Sequence, residues 1–186
     1  MPAALESLVT ARPLAAPDAA RAAFETPAAV CYHLPAGAPA PGGVEVVVPL
    51  PDATRFAYAP RSGGAGLAIE APVDALLRGN AFRPIHQSAT TLAATLSIAA
   101  GRRLDTGPQS ERVLLVMRGL GLAFAQNGDT FRVEPGSFAF APAGEPLRVW
   151  AQGPEDLLAV VLQPVGEPVA RRSLAGELAK LRQKGD

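Results

Sequence analysis

Glycine and proline divide the second half of this chain into short apolar runs, and this punctuation constrains the fold more than any other feature. Glycine occurs 18 times and proline 19 times among 186 residues, a density that favours tight turns and argues against long helices. Over 90–164 the runs recur at the spacing of about 8 to 12 residues that is typical of a β-barrel or sandwich. We predict strands over 90–99, 113–118, 122–126, 131–133, 137–141, 147–151 and 157–162.

The flanking regions carry weaker patterns. Runs over 28–34 and 44–50 predict two further strands, and 55–59 and 66–69 are weaker candidates. We expect residues 1–26 to form an N-terminal extension with a short helix over 4–9, and 27–170 to form the barrel. The last segment, 171–186, predicts a helix that Ser173 caps, because Leu174, Leu178 and Leu181 share one helical face.

The charge and hydropathy patterns exclude several kinds of partner. The 17 basic residues balance the 17 acidic residues, so no strong field draws nucleic acid or an anionic membrane surface. No stretch reaches the roughly 20 apolar residues that cross a bilayer, and Glu6 interrupts the apolar N-terminus, which lacks a positive leader. We therefore expect a soluble, cytoplasmic protein that binds neither nucleic acid nor membrane. Cys31 is the single cysteine, so an intrachain disulfide is excluded.

One segment resembles a known family signature. From Gly136 to Leu147 a glycine is followed after five residues by Pro142-Ala143-Gly144, which is similar to the second signature of the cupin superfamily. That signature continues with a histidine, whereas this chain has Leu147 at the same spacing. The resemblance implies an all-β fold, a cupin-type antiparallel β-barrel or jelly roll, here with extra N-terminal strands and a short C-terminal helix. It also implies that residue 147 points into the barrel.

The first cupin signature is only faintly echoed between Gly101 and Gly121. Its two histidine positions fall at Gly107 and Gln109, and its glutamate position falls at Arg112 or Leu114, with Glu111 out of register. A metal ion in such a barrel needs three or four converging nitrogen and oxygen ligands. These would have to come from His33, His86 and carboxylates such as Glu111 or Asp105, so we expect no metal and no cofactor.

Four residues are our candidates for contacting a ligand: Gln109, Arg112, Leu147 and Trp150. An arginine inside the barrel favours an anionic ligand, which its guanidinium can bind in a bidentate manner. Alternatively, Arg112 lies at the barrel mouth and contacts solvent or Glu111. Trp150 belongs with four phenylalanines that form either the barrel core or the wall of an apolar pocket: Phe124, Phe131, Phe138 and Phe140.

His86 and His33 are the only histidines. Each is either a structural side chain with its hydrogen bonds satisfied or, if it faces the cavity, a group for proton transfer near neutral pH. Cys31 fits a small buried hydrophobe, although His33 would share its face in a strand and could activate it as a nucleophile.

These residues support three hypotheses about function. The first is a metal-free cupin-like protein that binds a small organic molecule, a carboxylate or a sugar derivative, in its barrel. The second is a metal-independent isomerase, epimerase or lyase in which His86 or His33 transfers a proton and Arg112 holds the substrate's charge. The third is a metal-dependent enzyme with atypical ligands. Because barrels of this type pair through edge strands, we also expect a homodimer.

Overall fold

The computed structural model describes residues 21–63, 69–70, 81–125 and 128–165. Over these residues the chain forms strands and no helix. The strands are β1 (Arg21–Glu25), β2 (Ala29–Leu34), β3 (Val46–Pro49), β4 (Arg55–Pro60), β5 (Ile69–Glu70), β6 (Ala81–Gln87), β7 (Thr91–Ile98), β8 (Arg103–Pro108), β9 (Arg112–Arg118), β10 (Gly121–Phe124), β11 (Thr130–Val133), β12 (Phe138–Ala141), β13 (Pro146–Ala151) and β14 (Leu157–Pro164). The helices predicted over 4–9 and 171–186 lie outside the described residues.

Strands β7 to β14 form a jelly roll. One sheet has the order β12-β9-β14-β7-β6 and the other has the order β11-β10-β13-β8. The chain passes from sheet to sheet between most consecutive strands, and β6 adds a fifth strand to the first sheet. Two facing four-stranded antiparallel sheets with these crossings are the jelly-roll architecture that cupins share. The all-β jelly roll predicted from the sequence is therefore confirmed.

The barrel core forms because side chains alternate between the two faces of each strand. Leu114 and Val116 of β9 point inward and pack with Leu147 and Val149 from the opposite sheet. Leu115 points to the outer face of the same sheet. The parity that turns Leu114 inward also turns Arg112 inward, and it turns Glu111 away from the barrel interior.

The N-terminal strands form a second layer on the outside of the barrel. Their sheet has the order β1-β2-β4-β3-β5, in which only β3 and β5 pair in parallel. It packs against the β9–β14 face through an apolar cluster that includes Phe56 and Phe138, whose rings lie 5.7 Å apart. Because β9 and β14 are thus covered on both faces, their sequences are continuous apolar runs with no polar alternation.

Three strands were not predicted from the sequence. Strand β1 begins at Arg21, inside the predicted extension 1–26, and β6 and β8 were not predicted. Strand β6 contains Pro84, which weakens a strand pattern, and β8 combines arginine, aspartate, glycine and proline, all poor strand formers. Strands β2 to β14 lie inside the predicted barrel segment 27–170 and belong either to the N-terminal sheet or to the jelly roll, and the bounds of that segment stay a prediction. Within the described residues, no helix is long and apolar enough to span a membrane.

Candidate functional site

The jelly roll contains a cavity between its two sheets, on the side where edge strands β6 and β8 face each other. The cavity encloses about 490 Å³, within the range of small-molecule sites. Its apolar wall consists of Phe82, Leu92, Leu96, Leu104, Leu147 and Val161. Its polar groups come from Thr106, Gln109, Arg112 and Gln163. A mainly apolar wall with a few convergent polar groups is typical of a ligand-binding pocket.

Arg112 is the charged residue of this wall. The residue is only 2% exposed, and its guanidinium donates to the Thr106 hydroxyl and to the carbonyl oxygens of Gly107 and Glu145. All of these acceptors are neutral, and the buried Nε has no partner. Burial lowers the pKa of Arg112, and the nearby Asp105 carboxylate partly opposes this shift. The positive charge is therefore buried without a hydrogen-bonded counter-ion among the described residues.

Two loops at the barrel mouth are held together around Arg112. The Glu145 carbonyl that accepts from Arg112 lies 2.6 Å from Nη2 and belongs to the turn between β12 and β13. The Gly144 amide of the same turn donates to the Gln109 carbonyl, in the loop between β8 and β9, at 2.8 Å. The glycine and proline of the cupin-like motif thus shape a turn that borders the cavity, and Arg112 is fixed in place by this turn and by strand β8.

The structure brings three of the four predicted ligand residues together. Gln109, Arg112 and Leu147 all line the cavity. The Gln109 side chain donates to the Thr106 carbonyl at 3.2 Å, which leaves its amide oxygen as an acceptor. Leu147 is 1% exposed and belongs to the barrel core, so the position where the cupin signature has a histidine does face the cavity.

Trp150 lies outside this cavity. It is three residues beyond Leu147 on the same strand, and an odd separation places it on the opposite face of the sheet. There the Arg103 guanidinium lies 4.9 Å from the Trp150 ring centroid and 5.7 Å from that of Phe124. Phe138 was also a candidate for the pocket wall, but it packs between the barrel and the N-terminal sheet.

His86 lies between the barrel and the N-terminal sheet, away from the described cavity wall. Its Nε2 is 3.0 Å from Glu45 Oε1, and the Glu45 side chain is 1% exposed. The other carboxylate oxygen accepts from the Thr90 and Thr91 hydroxyls at 2.6 and 3.0 Å. Burial alone would raise the pKa of Glu45, but the hydrogen bonds from His86 and the neighbouring hydroxyls outweigh it and lower this pKa. His86 is a hydrogen-bonded partner of a buried carboxylate.

His33 also lies away from the described cavity wall. Its Nε2 is 2.9 Å from the Thr54 hydroxyl, on the N-terminal sheet. Cys31, on the same strand, is fully buried, and burial raises the pKa of its thiol well above the ordinary value. A thiol in this state is not a nucleophile, and neither histidine reaches the described wall of the cavity.

The carboxylates considered as metal ligands are also separated from one another. Glu111 faces the N-terminal sheet, where its Oε1 accepts from the Thr26 hydroxyl and, at 3.3 Å, from the Ala28 amide. Asp105 lies on the outer face of the barrel and accepts from the Arg148 Nε at 3.0 Å. Burial raises the pKa of Glu111, whereas the Gly107 amide and Arg148 lower that of Asp105.

The residues at the cavity do not fit the metal that the cupin resemblance implies. Nowhere among the described residues do three side chains of His, Cys, Asp or Glu come together as a metal site. The positions of the signature ligands carry Gly107, Gln109, Arg112 or Leu114, and Leu147, and among these side chains only that of Gln109 offers an oxygen ligand, which is neutral. A buried guanidinium also opposes a second cation at close range.

Thr106 and Gln163 line the cavity but were not predicted. Thr106 was not predicted as a cavity residue because its strand, β8, was not predicted. Gln163 did leave a signal, since it follows the six apolar residues of 157–162 on a strand that is otherwise buried. A polar residue at the end of such a run marks a place where the core gives way to a pocket or to solvent.

Comparisons with known proteins give structural neighbours only. No family model matches the chain, and no curated protein matches it. Solved structures similar to it include an RmlC-like cupin protein from Desulfovibrio desulfuricans, at 18% identity and a TM-score of 0.44, covering 50% of this chain and 92% of that one. A cupin superfamily protein from Desulfitobacterium hafniense is 14% identical with a TM-score of 0.41, covering 53% and 84%.

A third neighbour is the DMSP lyase DddQ from Ruegeria pomeroyi. It is 20% identical with a TM-score of 0.42, and the match covers 48% of each chain. At these identities and TM-scores, the likenesses describe the shape of the barrel and carry no argument about ligand or activity.

Proposed function

We propose that the barrel cavity binds a small organic anion, with Arg112 as its counter-charge. One observation carries this proposal: Arg112, a residue only 2% exposed, lines a cavity of about 490 Å³, and its guanidinium donates only to neutral oxygens and leaves Nε without a partner. Burying a charge without a counter-ion in hydrogen-bond contact costs several kcal/mol. An anion entering the cavity supplies the missing partner and offsets that cost.

Of the two ligand classes predicted from the sequence, the wall favours a carboxylate over a neutral sugar derivative. A neutral sugar leaves Arg112 without a hydrogen-bonded counter-ion. It also places hydroxyl groups against Leu92, Leu96 and Val161, which offer them no hydrogen bonds. A carboxylate matches the planar donor geometry of a guanidinium and forms charge-assisted hydrogen bonds with it.

Titration calorimetry with small carboxylates and their uncharged amides tests the proposal. We expect the carboxylates to bind the wild-type protein and the amides to bind at least tenfold more weakly. Arg112→Met removes charge-assisted hydrogen bonds worth about 1.5 to 3 kcal/mol each, so it should weaken carboxylate binding by about ten- to a hundredfold.

Arg148→Met is the matched control, because Arg148 pairs with Asp105 outside the cavity. It should bind carboxylates as the wild type does. If Arg112→Met and Arg148→Met bound carboxylates equally well, or if no carboxylate bound the wild type, the proposal would be wrong.

The site supports binding better than proton transfer by histidine, because His86 and His33 both make hydrogen bonds elsewhere. The metal-dependent alternative has its own test, which is elemental analysis of protein purified without chelator. A stoichiometric transition metal that is retained by the wild type would contradict metal-free binding.

A further inference from the structure

The cavity has a polar end and an apolar end along its strands. On β7, Leu92 pairs with Gln163 of β14, next to the Leu162–Val113 pair that adjoins Arg112. Four residues further along β7, Leu96 pairs with Phe82 of β6. Gln163 and Arg112 therefore mark one end of the cavity, and Phe82 with Leu96 marks the other.

The opposite sheet has the same polarity. On β8, the uncharged Thr106 hydroxyl accepts a hydrogen bond from the Arg112 guanidinium. Two residues earlier on the same strand, Leu104 pairs with Val149 and faces the cavity at its apolar end. Both walls thus change from polar to apolar in the same direction.

The length of the apolar part follows from strand geometry. At about 3.3 Å per residue, the four steps from Leu92 to Leu96 span about 13 Å. Phe82, at the far end, is 55% exposed, so the apolar end opens toward solvent. A zigzag carbon chain with bonds of about 1.5 Å advances about 1.3 Å per bond, so roughly ten carbons cover this distance.

The charge of the wall sets the charge of the ligand. Among the described residues that line the cavity, Arg112 is the single ionised group, and the remaining polar groups belong to Thr106, Gln109 and Gln163. One buried positive charge balances one negative charge. A second carboxylate on the ligand would lie against Leu96 or Leu104 without a partner, at a high cost in desolvation.

We infer that the cavity selects monocarboxylates with an unbranched apolar chain of roughly eight to ten carbons, with the carboxylate at Arg112 and the tail along Leu96 and Leu104 toward Phe82. This inference rests on the proposed function and adds the ligand class. It differs from general anion binding in predicting that affinity depends on chain length.

Calorimetry with a chain-length series tests the inference. The series is acetate, butyrate, hexanoate, octanoate, decanoate and dodecanoate, each below its micelle concentration. Each methylene transferred into the apolar end should raise the affinity by up to about fourfold. The gain should level off once the chain reaches Phe82 and meets solvent. The dicarboxylate suberate, with the carbon count of octanoate, should bind at least tenfold more weakly than octanoate.

A variant at the exposed end tests the binding of the ligand's apolar chain separately from the binding of its carboxylate. Phe82→Ala removes a wall of the apolar end at an exposed position, where truncation carries little risk to the fold. It should weaken octanoate binding by about threefold to tenfold and leave butyrate binding unchanged. Leu120→Ala is the matched control, because Leu120 is also an exposed apolar residue (37%) but does not line the cavity.

The outcomes distinguish this inference from the proposed function. If carboxylates bind in an Arg112-dependent manner but with the same affinity at every chain length, the chain-length inference is wrong and anion binding stands. If octanol binds as tightly as octanoate and Arg112→Met changes neither, both are wrong. Equal loss of octanoate binding in Phe82→Ala and Leu120→Ala would also overturn the inference, because the tail would then bind at the surface.

Discussion

Replacing His86 by leucine is expected to destabilise the fold, because it removes a hydrogen bond to a buried carboxylate. The His86 Nε2 lies 3.0 Å from Glu45 Oε1, and the Glu45 side chain is 1% exposed, whereas that of His86 is 14% exposed. Hydrogen bonds to charged groups contribute about 1.5 to 3 kcal/mol. Since water can partly replace His86, we expect a loss of about 2 kcal/mol.

The assay is urea denaturation of four proteins at neutral pH: the wild type, His86→Leu, Glu45→Gln and the double variant. With a denaturant slope of about 2 kcal/mol/M, the midpoint of His86→Leu should fall by about 1 M. The double variant should lose less than the sum of the single losses, by about 1 kcal/mol or more, because the two side chains contact each other. His86→Gln keeps a donor on a side chain of similar reach and should recover part of the loss.

The pH dependence has a definite sign. The hydrogen bonds lower the pKa of Glu45 below its usual 4.5 in the folded protein. Its contribution to stability is therefore present above pH 4.5 and is lost as the pH falls through the folded-state pKa. The gap between the wild type and His86→Leu should narrow under those acidic conditions. A loss below about 0.5 kcal/mol with no coupling would refute this account and leave His86 free for another role.

Three further predictions concern the packing of the barrel and its N-terminal layer. Gly121→Ala would place a methyl group 2.7 Å from the Trp150 carbonyl oxygen and should cost about 1 to 3 kcal/mol in urea denaturation. Gly42→Ala, with no atom within 4 Å, is the neutral control, and equal losses would contradict the clash. Burial raises the pKa of Glu111, so its stabilising effect is present below pH 4.5 and is lost as the pH rises through the folded-state pKa. Glu111→Gln should therefore be more stable than the wild type at neutral pH but not at acidic pH, as followed by thermal unfolding, and a constant difference would argue against a buried carboxylate. Burial also raises the pKa of Cys31, so a disulfide reagent should label it only after unfolding, and rapid labelling of the native protein would contradict this.

The jelly roll could be predicted because its strands carry local signals. The turns around Gly119, Gly136 and Gly144 adopt positive φ angles of 84° to 85°, which glycine permits and which a sequence pattern of glycine and proline reveals. The Gly136 to Leu147 motif fixed both the family resemblance and the inward position of Leu147. Strands β6 and β8 could not be found in this way, because their stability comes from pairing with β7 and β13 and not from their own composition.

Strand parity would have improved the site prediction. Leu147 and Val149 share a face, so Trp150 had to point outward, and the same parity separates Glu111 from Arg112. The contact between His86 and Glu45 could not be predicted from the local sequence, because the two residues are 41 positions apart. That contact depends on how the N-terminal sheet packs on the barrel. Homodimer formation, the cytoplasmic location and the absence of a cofactor stay predictions.

The N-terminal sheet also has a consequence for assembly. It covers the apolar outer side of the β9–β14 sheet, where Leu115, Phe138 and Val160 would otherwise meet water. The chain therefore covers this surface with its own N-terminal sheet, and no second copy is needed to bury it. Two copies that pair must therefore do so elsewhere. A shortened chain without the N-terminal sheet would expose a large apolar sheet face. We therefore expect the isolated jelly roll to self-associate and precipitate.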